Sequence, residues 1–126
     1  MVMVKSTTLI ERVRTEHEEQ RDLISWFRKT YPNVLCFAIP NGGQRSATTA
    51  AKLKVEGVTK GIPDLFVPEW NLWIEMKRVK GGVLSKEQKE VIEYLKYCTH
   101  KVVIGLGFDD AKQKIEQLYN LFYKKP

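Results

Sequence analysis

Asp64-Leu65-Phe66-Val67-Pro68-Glu69-Trp70-Asn71-Leu72-Trp73-Ile74-Glu75-Met76-Lys77 is two short runs of β-forming residues around a centre of turn formers. Branched and aromatic side chains favour the pleated strand while Pro68 and Asn71 favour reversal, so the stretch predicts a hairpin with strands at 64–67 and 72–77. Side chains alternate along a strand. Trp73, Glu75 and Lys77 therefore share one face, and Leu72, Ile74 and Met76 the other. With Val67 opposite Leu72, the register sets Phe66 against Trp73, Leu65 against Ile74 and Asp64 against Glu75. Two carboxylates become cross-strand neighbours with β-carbons about 5 Å apart, where like charges repel unless a proton or a cation intervenes.

Taken singly, Asp64 reads as a turn-exit aspartate after Pro63, and Glu75 with Lys77 as a solvated strand face. Together they resist that reading, because strand interiors are depleted in Glu and facing acids gain nothing from each other. A hard divalent cation satisfies the pair, and carboxylate and water oxygens suit Mg2+ or Mn2+. Lys77 reaches the same place. Its ammonium can orient or help deprotonate an attacking water and offset charge on a phosphate, as hydrolysis of a phosphodiester requires.

Outward from the hairpin, residues 8–29 lack Gly and Pro and end before Tyr31-Pro32-Asn33, which predicts a first helix. Thr8 with Glu11 and Thr15 with Glu18 both have capping-box spacing, so its start is ambiguous. Leu23, Ile24, Trp26 and Phe27 form its apolar stripe, and Glu16, Glu19 and Gln20 lie on or beside that stripe. First-turn acids complement the helix dipole, which accounts for at least two of Glu16, Glu18 and Glu19. The apolar run 34–39 predicts a mostly buried strand closed by Pro40-Asn41-Gly42-Gly43, and 46–56 a helix. Ser85 and Gln88 have capping-box form before a helix reaching Tyr97, with Val91, Ile92, Leu95 and Cys98 inward. Residues 101–106 predict a last strand, and 109–123 a last helix with Ala111, Ile115, Leu118 and Phe122 at core spacing. The order αβαββαβα predicts an α/β fold: a mixed sheet of about four strands with helices on both sides.

The 126 residues, 43% apolar and 29% charged, describe one soluble domain, with 1–7 and 124–126 as flexible ends. No stretch is apolar enough to span a membrane and the opening residues do not form a signal peptide, which points to the cytoplasm. Cys36 and Cys98 sit in apolar runs without metal-ligand spacing and read as free thiols. The net charge of +6 favours a polyanionic partner. Arg45, Lys52, Lys54 and Lys60 precede the hairpin's second strand and Arg78 and Lys80 follow it, a distribution suited to contacting nucleic-acid phosphates around the hairpin. Trp70 and Trp73 read as packing residues before base-stacking ones. His17 and His100 have no partner pattern.

Pro63-Asp64 followed by Glu75-Met76-Lys77 resembles the signature of the PD-(D/E)XK nuclease superfamily. Glu16 with Gln20, Asn41-Gly42-Gly43 with Arg45, Ala51 to Gly57, Gly61-Ile62-Pro63 and Ser85 with Gln88, in that order, resemble its VRR-NUC branch over residues 15–106. The resemblance implies a restriction-endonuclease-like fold and a metal-dependent deoxyribonuclease. It implies Asp64 and Glu75 as metal ligands, the Met76 carbonyl as a backbone ligand, Lys77 as the catalytic lysine and Glu16 as the helix-one acid, with Glu19 in reserve. Gln88 is divided between capping its helix and serving the site. The small stand-alone phage and bacterial members that the chain resembles cut branched DNA, notably four-way (Holliday) junctions, as homodimers, with no small-molecule cofactor. A non-cutting DNA-binding module is the competing class, against which the acid-acid-lysine set argues. Residue types alone do not separate DNA from RNA or from plain duplex as substrate.

Overall fold

The hairpin forms in the register that alternation dictates: Leu65 pairs with Ile74, Phe66 with Trp73 and Val67 with Leu72, all antiparallel. The structure is a computed structural model and describes residues 13–40 and 46–126. Strand β2 (Leu65–Val67) and strand β3 (Leu72–Lys77) are joined by a single 3-10 turn, Pro68–Trp70, and Asn71 completes the reversal in the left-handed region at φ 51°. Asn tolerates that conformation better than most residues.

Helix α1 (Glu16–Thr30) starts at the second candidate cap. The Thr15 hydroxyl accepts from the Glu18 N–H at 3.1 Å and the Glu18 carboxylate accepts from the Thr15 N–H at 3.0 Å. The first candidate, at Thr8 and Glu11, lies outside the described residues, as does the turn at 41–43. Helix α2 (Ala47–Val55) begins at Ser46, whose hydroxyl caps the Thr49 N–H. After β3, helix α3 (Lys86–Tyr97) crosses over to strand β4 (Lys101–Leu106), which lies parallel to β3 with Glu75 beside Ile104. Helix α4 (Phe108–Leu118) closes the order. The sheet is mixed and four-stranded, β1-β2-β3-β4, with β1 (Phe37–Ala38) at one edge.

Leu72, Ile74 and Met76 pack with Leu23 and Phe27 of α1 and Ala111 and Ile115 of α4 in the main core. Ile92 and Leu95 of α3 are buried separately, on the β4 side. The expected α/β mixed sheet with helices on both sides is thus what forms.

Two expectations are corrected. The run 34–39 is not a mostly buried strand: only Phe37 and Ala38 pair, Cys36 is buried, and Leu35 is 63% exposed. An edge strand has one neighbour, so its apolar residues are not all enclosed. The last helix does not bury Phe122, which is 61% exposed. Tyr119–Tyr123 winds as a π-turn, with the Lys124 N–H donating to the Tyr119 carbonyl; Tyr119 follows Ile115 at ordinary helical spacing, and Tyr123 in place of Phe122 packs inward. Tyr123 stacks on Trp70 at 4.7 Å and its hydroxyl donates to the Trp70 carbonyl. Tyr119 lies 4.8 Å from Tyr31. Both tyrosines finish the core.

Candidate active site

Where the β2–β3 ladder ends, Asp64 replaces main chain with side chain. Its carbonyl accepts from the Ile39 N–H, while its carboxylate accepts from the Met76 N–H at 2.7 Å, the position a further ladder partner would take. That bond fixes the carboxylate beside β3, next to Glu75. Glu75 is 1% exposed and Lys77 8%, so a strand interior holds both charges out of water. Lys77 Nζ lies 3.9 Å from Glu75 Oε2.

Gln88 joins them from α3. Its Oε1 accepts from the Ser85 N–H at 2.8 Å and its backbone N–H donates to the Ser85 hydroxyl at 3.1 Å, the reciprocal capping box. The same side chain's Nε2 donates to Glu75 Oε2 at 3.2 Å. Capping and contact with Glu75 are therefore one geometry: the cap fixes the carbonyl end of the amide, which aims the NH2 end at the carboxylate. Glu75 Oε2 is then occupied, whereas the buried Glu75 Oε1 has no hydrogen-bond partner. Leaving a buried carboxylate oxygen unpaired costs on the order of 1–3 kcal/mol or more.

The electrostatics record the same strain. Burial, then the neighbouring Asp64 charge, pushes the Glu75 carboxyl up to about 8, with Lys77 pulling the other way and Glu16 adding to the rise. Burial also raises Asp64, against the Met76 N–H that favours its charged form. A divalent cation at Glu75 Oε1 would relieve both. Among the described residues no group of three or more His, Cys, Asp or Glu gathers to hold an ion. The available donors are thus the two carboxylates and backbone, a set that suits a cation keeping most of its waters, as Mg2+ does.

Glu16 and Glu19 separate clearly. Glu16 is exposed in the first turn of α1, within the electrostatic reach of Glu75. Glu19, 5% exposed, points elsewhere: its carboxylate accepts from the Phe108 N–H at 3.0 Å, capping α4, whose own N-cap is Gly107 and has no side chain to offer. Arg14 flanks it at 3.7 Å.

Of the basic residues, Lys54 and Lys60 line an open groove of about 830 Å³ together with Asp64 and Gln88. Lys52, Arg78 and Lys80 are exposed, and Arg45 lies outside the described residues. Trp70 is buried among Phe27, Tyr31 and Tyr123. Trp73 stacks on Phe66 at 4.2 Å and its indole N–H donates to His100 Nδ1 at 2.8 Å, a pairing that nothing in the residue pattern announced.

Gly61 explains why a glycine precedes Ile62-Pro63. At φ +93°, a β-carbon there would stand 2.7 Å from the Glu87 carbonyl group and 3.0 Å from the Gln88 nitrogen. The loop entering β2 thus presses directly on the turn that aims Gln88. Gly61→Ala is expected to lower the melting temperature well beyond Gly57→Ala. Gly57, at φ +102°, has open space around it, so its variant carries the backbone strain of about 1–3 kcal/mol alone. Equal melting temperatures would remove the packing role.

No family profile matches the chain, and no curated protein does. Among solved structures, one described as a VRR_NUC domain protein is similar, with a TM-score of 0.72 and 26% identity over 88% of this chain and 93% of that one.

Proposed function

We propose, from a chain of VRR-NUC type in fold and in motif order, that this protein is a divalent-metal-dependent deoxyribonuclease selective for branched DNA. The observation that carries the reading is the buried Glu75 Oε1, unpartnered beside Asp64 and with Lys77 on the same face. A binding module gains nothing from two buried carboxyl groups that share one place only while one of them holds a proton.

Asp64, Glu75 and the Met76 carbonyl are the groups that would hold Mg2+ or Mn2+. The N–H and C=O of a strand residue point to the same side, and the Met76 N–H is bonded to Asp64. When bound, the ion supplies Lewis-acid stabilisation of the charge that develops on the phosphate. Lys77 supplies a positive charge for the scissile phosphate or orients the attacking water, and the P–O bond to the leaving strand breaks as the new one forms. Gln88 holds Glu75 in one orientation, so it acts as a positioning residue. Glu16 on α1 acts on this centre through its charge, which adds to the rise of Glu75.

Lys52, Lys54, Lys60, Arg45, Arg78 and Lys80 are assigned to the DNA backbone. Phosphate contacts release counterions, so affinity falls steeply with salt and depends little on sequence. Replacing Arg45, Lys52, Lys54 and Lys60 by Ala is expected to flatten the salt slope by about one unit for each phosphate released, measured by binding titrations over a series of salt concentrations. An unchanged slope would place the DNA elsewhere.

The working unit proposed is a homodimer, since one chain offers one acid-acid-lysine set and a two-fold pair presents equivalent sites to opposing strands of a four-way junction. The deciding experiment incubates the protein with linear duplex, single strands, flaps and four-way junctions, with and without Mg2+ or Mn2+, alongside sedimentation. Metal-dependent cutting of junctions by a dimer is expected. A strict monomer, or no preference over plain duplex, would overturn the junction reading, and absence of cleavage throughout would overturn the nuclease.

A further inference from the structure

The groove that Asp64 helps to line is bounded by Ala50 and Leu53, three apart on α2, and by Val58 and Ile62. No residue of α2 is buried, so these apolar side chains face the groove and not the core. Lys54 and Lys60 are part of the same lining, and Asp64 is the one acid among the residues that form it. Its volume of about 830 Å³ is that of a pocket for a bound small molecule or a single nucleotide unit with room to spare.

Duplex DNA offers this surface little. Its phosphates would satisfy Lys54 and Lys60, but its base faces are hidden in the stack, and Leu53, Val58 and Ile62 gain nothing from phosphate oxygens. An unstacked base offers an apolar face together with an attached phosphate, which matches an apolar wall rimmed by ammonium groups. Because Asp64 and Gln88 line the groove and Gln88 is bonded to Glu75, a nucleotide seated there brings a phosphate linked to it toward Glu75 and Lys77.

We infer that the groove between α2, residues 58–62 and the start of α3 receives an unpaired nucleotide adjoining the scissile phosphate. This rests on the nuclease reading and deepens it: the groove selects an unpaired nucleotide next to the cut, which a flap carries outright and a four-way junction supplies when a pair opens at its branch point.

The test uses the full chain in chelator, so that binding is read without cutting. One probe is a duplex carrying a single unpaired 2-aminopurine, and the other the same duplex with that base paired. The expected result is a fluorescence change on binding the first probe, and affinity for it about tenfold higher than for the second. Leu53→Ser/Val58→Ser should bring that ratio close to one with paired-duplex affinity unchanged. Lys54→Gln/Lys60→Gln should weaken both probes alike. Circular dichroism checks that the variants fold, and Leu53→Met should retain the preference. Equal affinity of the parent for both probes, or a preference that survives Leu53→Ser/Val58→Ser, would overturn the inference and leave the groove to a protein segment. Cleavage without the preference removes the groove and keeps the nuclease; the preference without cleavage of any substrate keeps the groove and removes the nuclease.

Discussion

Lys77→Ala is expected to lower single-turnover cleavage at least about a thousandfold, and Asp64→Ala and Glu75→Ala by as much or more, while all three remain folded. The argument is positional. Lys77 is held out of solvent on the face of Glu75, and Asp64 is fixed by the Met76 N–H, so none of the three is free to be replaced by a neighbour. Lys77→Arg should recover little, because a planar fork does not reproduce a compact ammonium at the same depth. Gln88→Ala should fall between these and the parent, since it loosens Glu75 without removing it. Rates are read on the best substrate of the panel with saturating Mg2+ or Mn2+. Full activity of Glu75→Ala, or undiminished cleavage in excess chelator, would sink the assignment.

The second expectation concerns the metal-free protein. Glu75 has an ordinary value of 4.5 and is pushed up to about 8 in the fold by burial and by Asp64, which is itself raised. Between those values the folded chain holds a proton that the unfolded chain has released. The sign follows: stability present at acid pH is lost as pH rises through the folded value. In chelator, the melting temperature should drop by roughly 5–10 °C between about pH 6 and pH 8.5. Glu75→Gln removes the charge while keeping the shape, so it should flatten that fall and melt above the parent at the alkaline end. Adding Mg2+ or Mn2+ should raise the parent there and leave Glu75→Gln nearly unmoved. A parent profile that rises with pH would show that the buried pair is not under this strain.

How much of this was legible from residues alone divides along the reach of each signal. The hairpin was legible because alternation and turn chemistry are local, so a four-residue count from Val67 to Leu72 sets Asp64 beside Glu75. Strand β1 was misread because a continuous apolar run looks the same at a sheet's centre and at its edge. The last helix went wrong at its π-turn, where one residue of phase exchanges Phe122 for Tyr123. Gln88 presented two readings; the capping box forms, and the same side chain also bonds to Glu75 across 13 positions, a contact no local pattern announces. Glu16 and Glu19 have the same chemistry on the same helix, and what separates them is a neighbour far along the chain. The apolar groove had no signature, because Leu53, Val58 and Ile62 meet only through the fold.

The bond from Phe108 to Glu19 spans 89 positions, and it bears on the order in which the chain folds. A helix that carries its own Ser or Thr cap can begin before the rest of the chain arrives, as α1, α2 and α3 are equipped to do. Helix α4 is not so equipped, since Gly107 gives no cap and the acceptor comes from the first helix. Its first turn therefore becomes firm only after the long loop between the two ends has closed, a late event on the folding path. Glu19→Ala should accordingly speed unfolding and leave the folding rate almost unchanged, so the residue acts chiefly as a brake on opening.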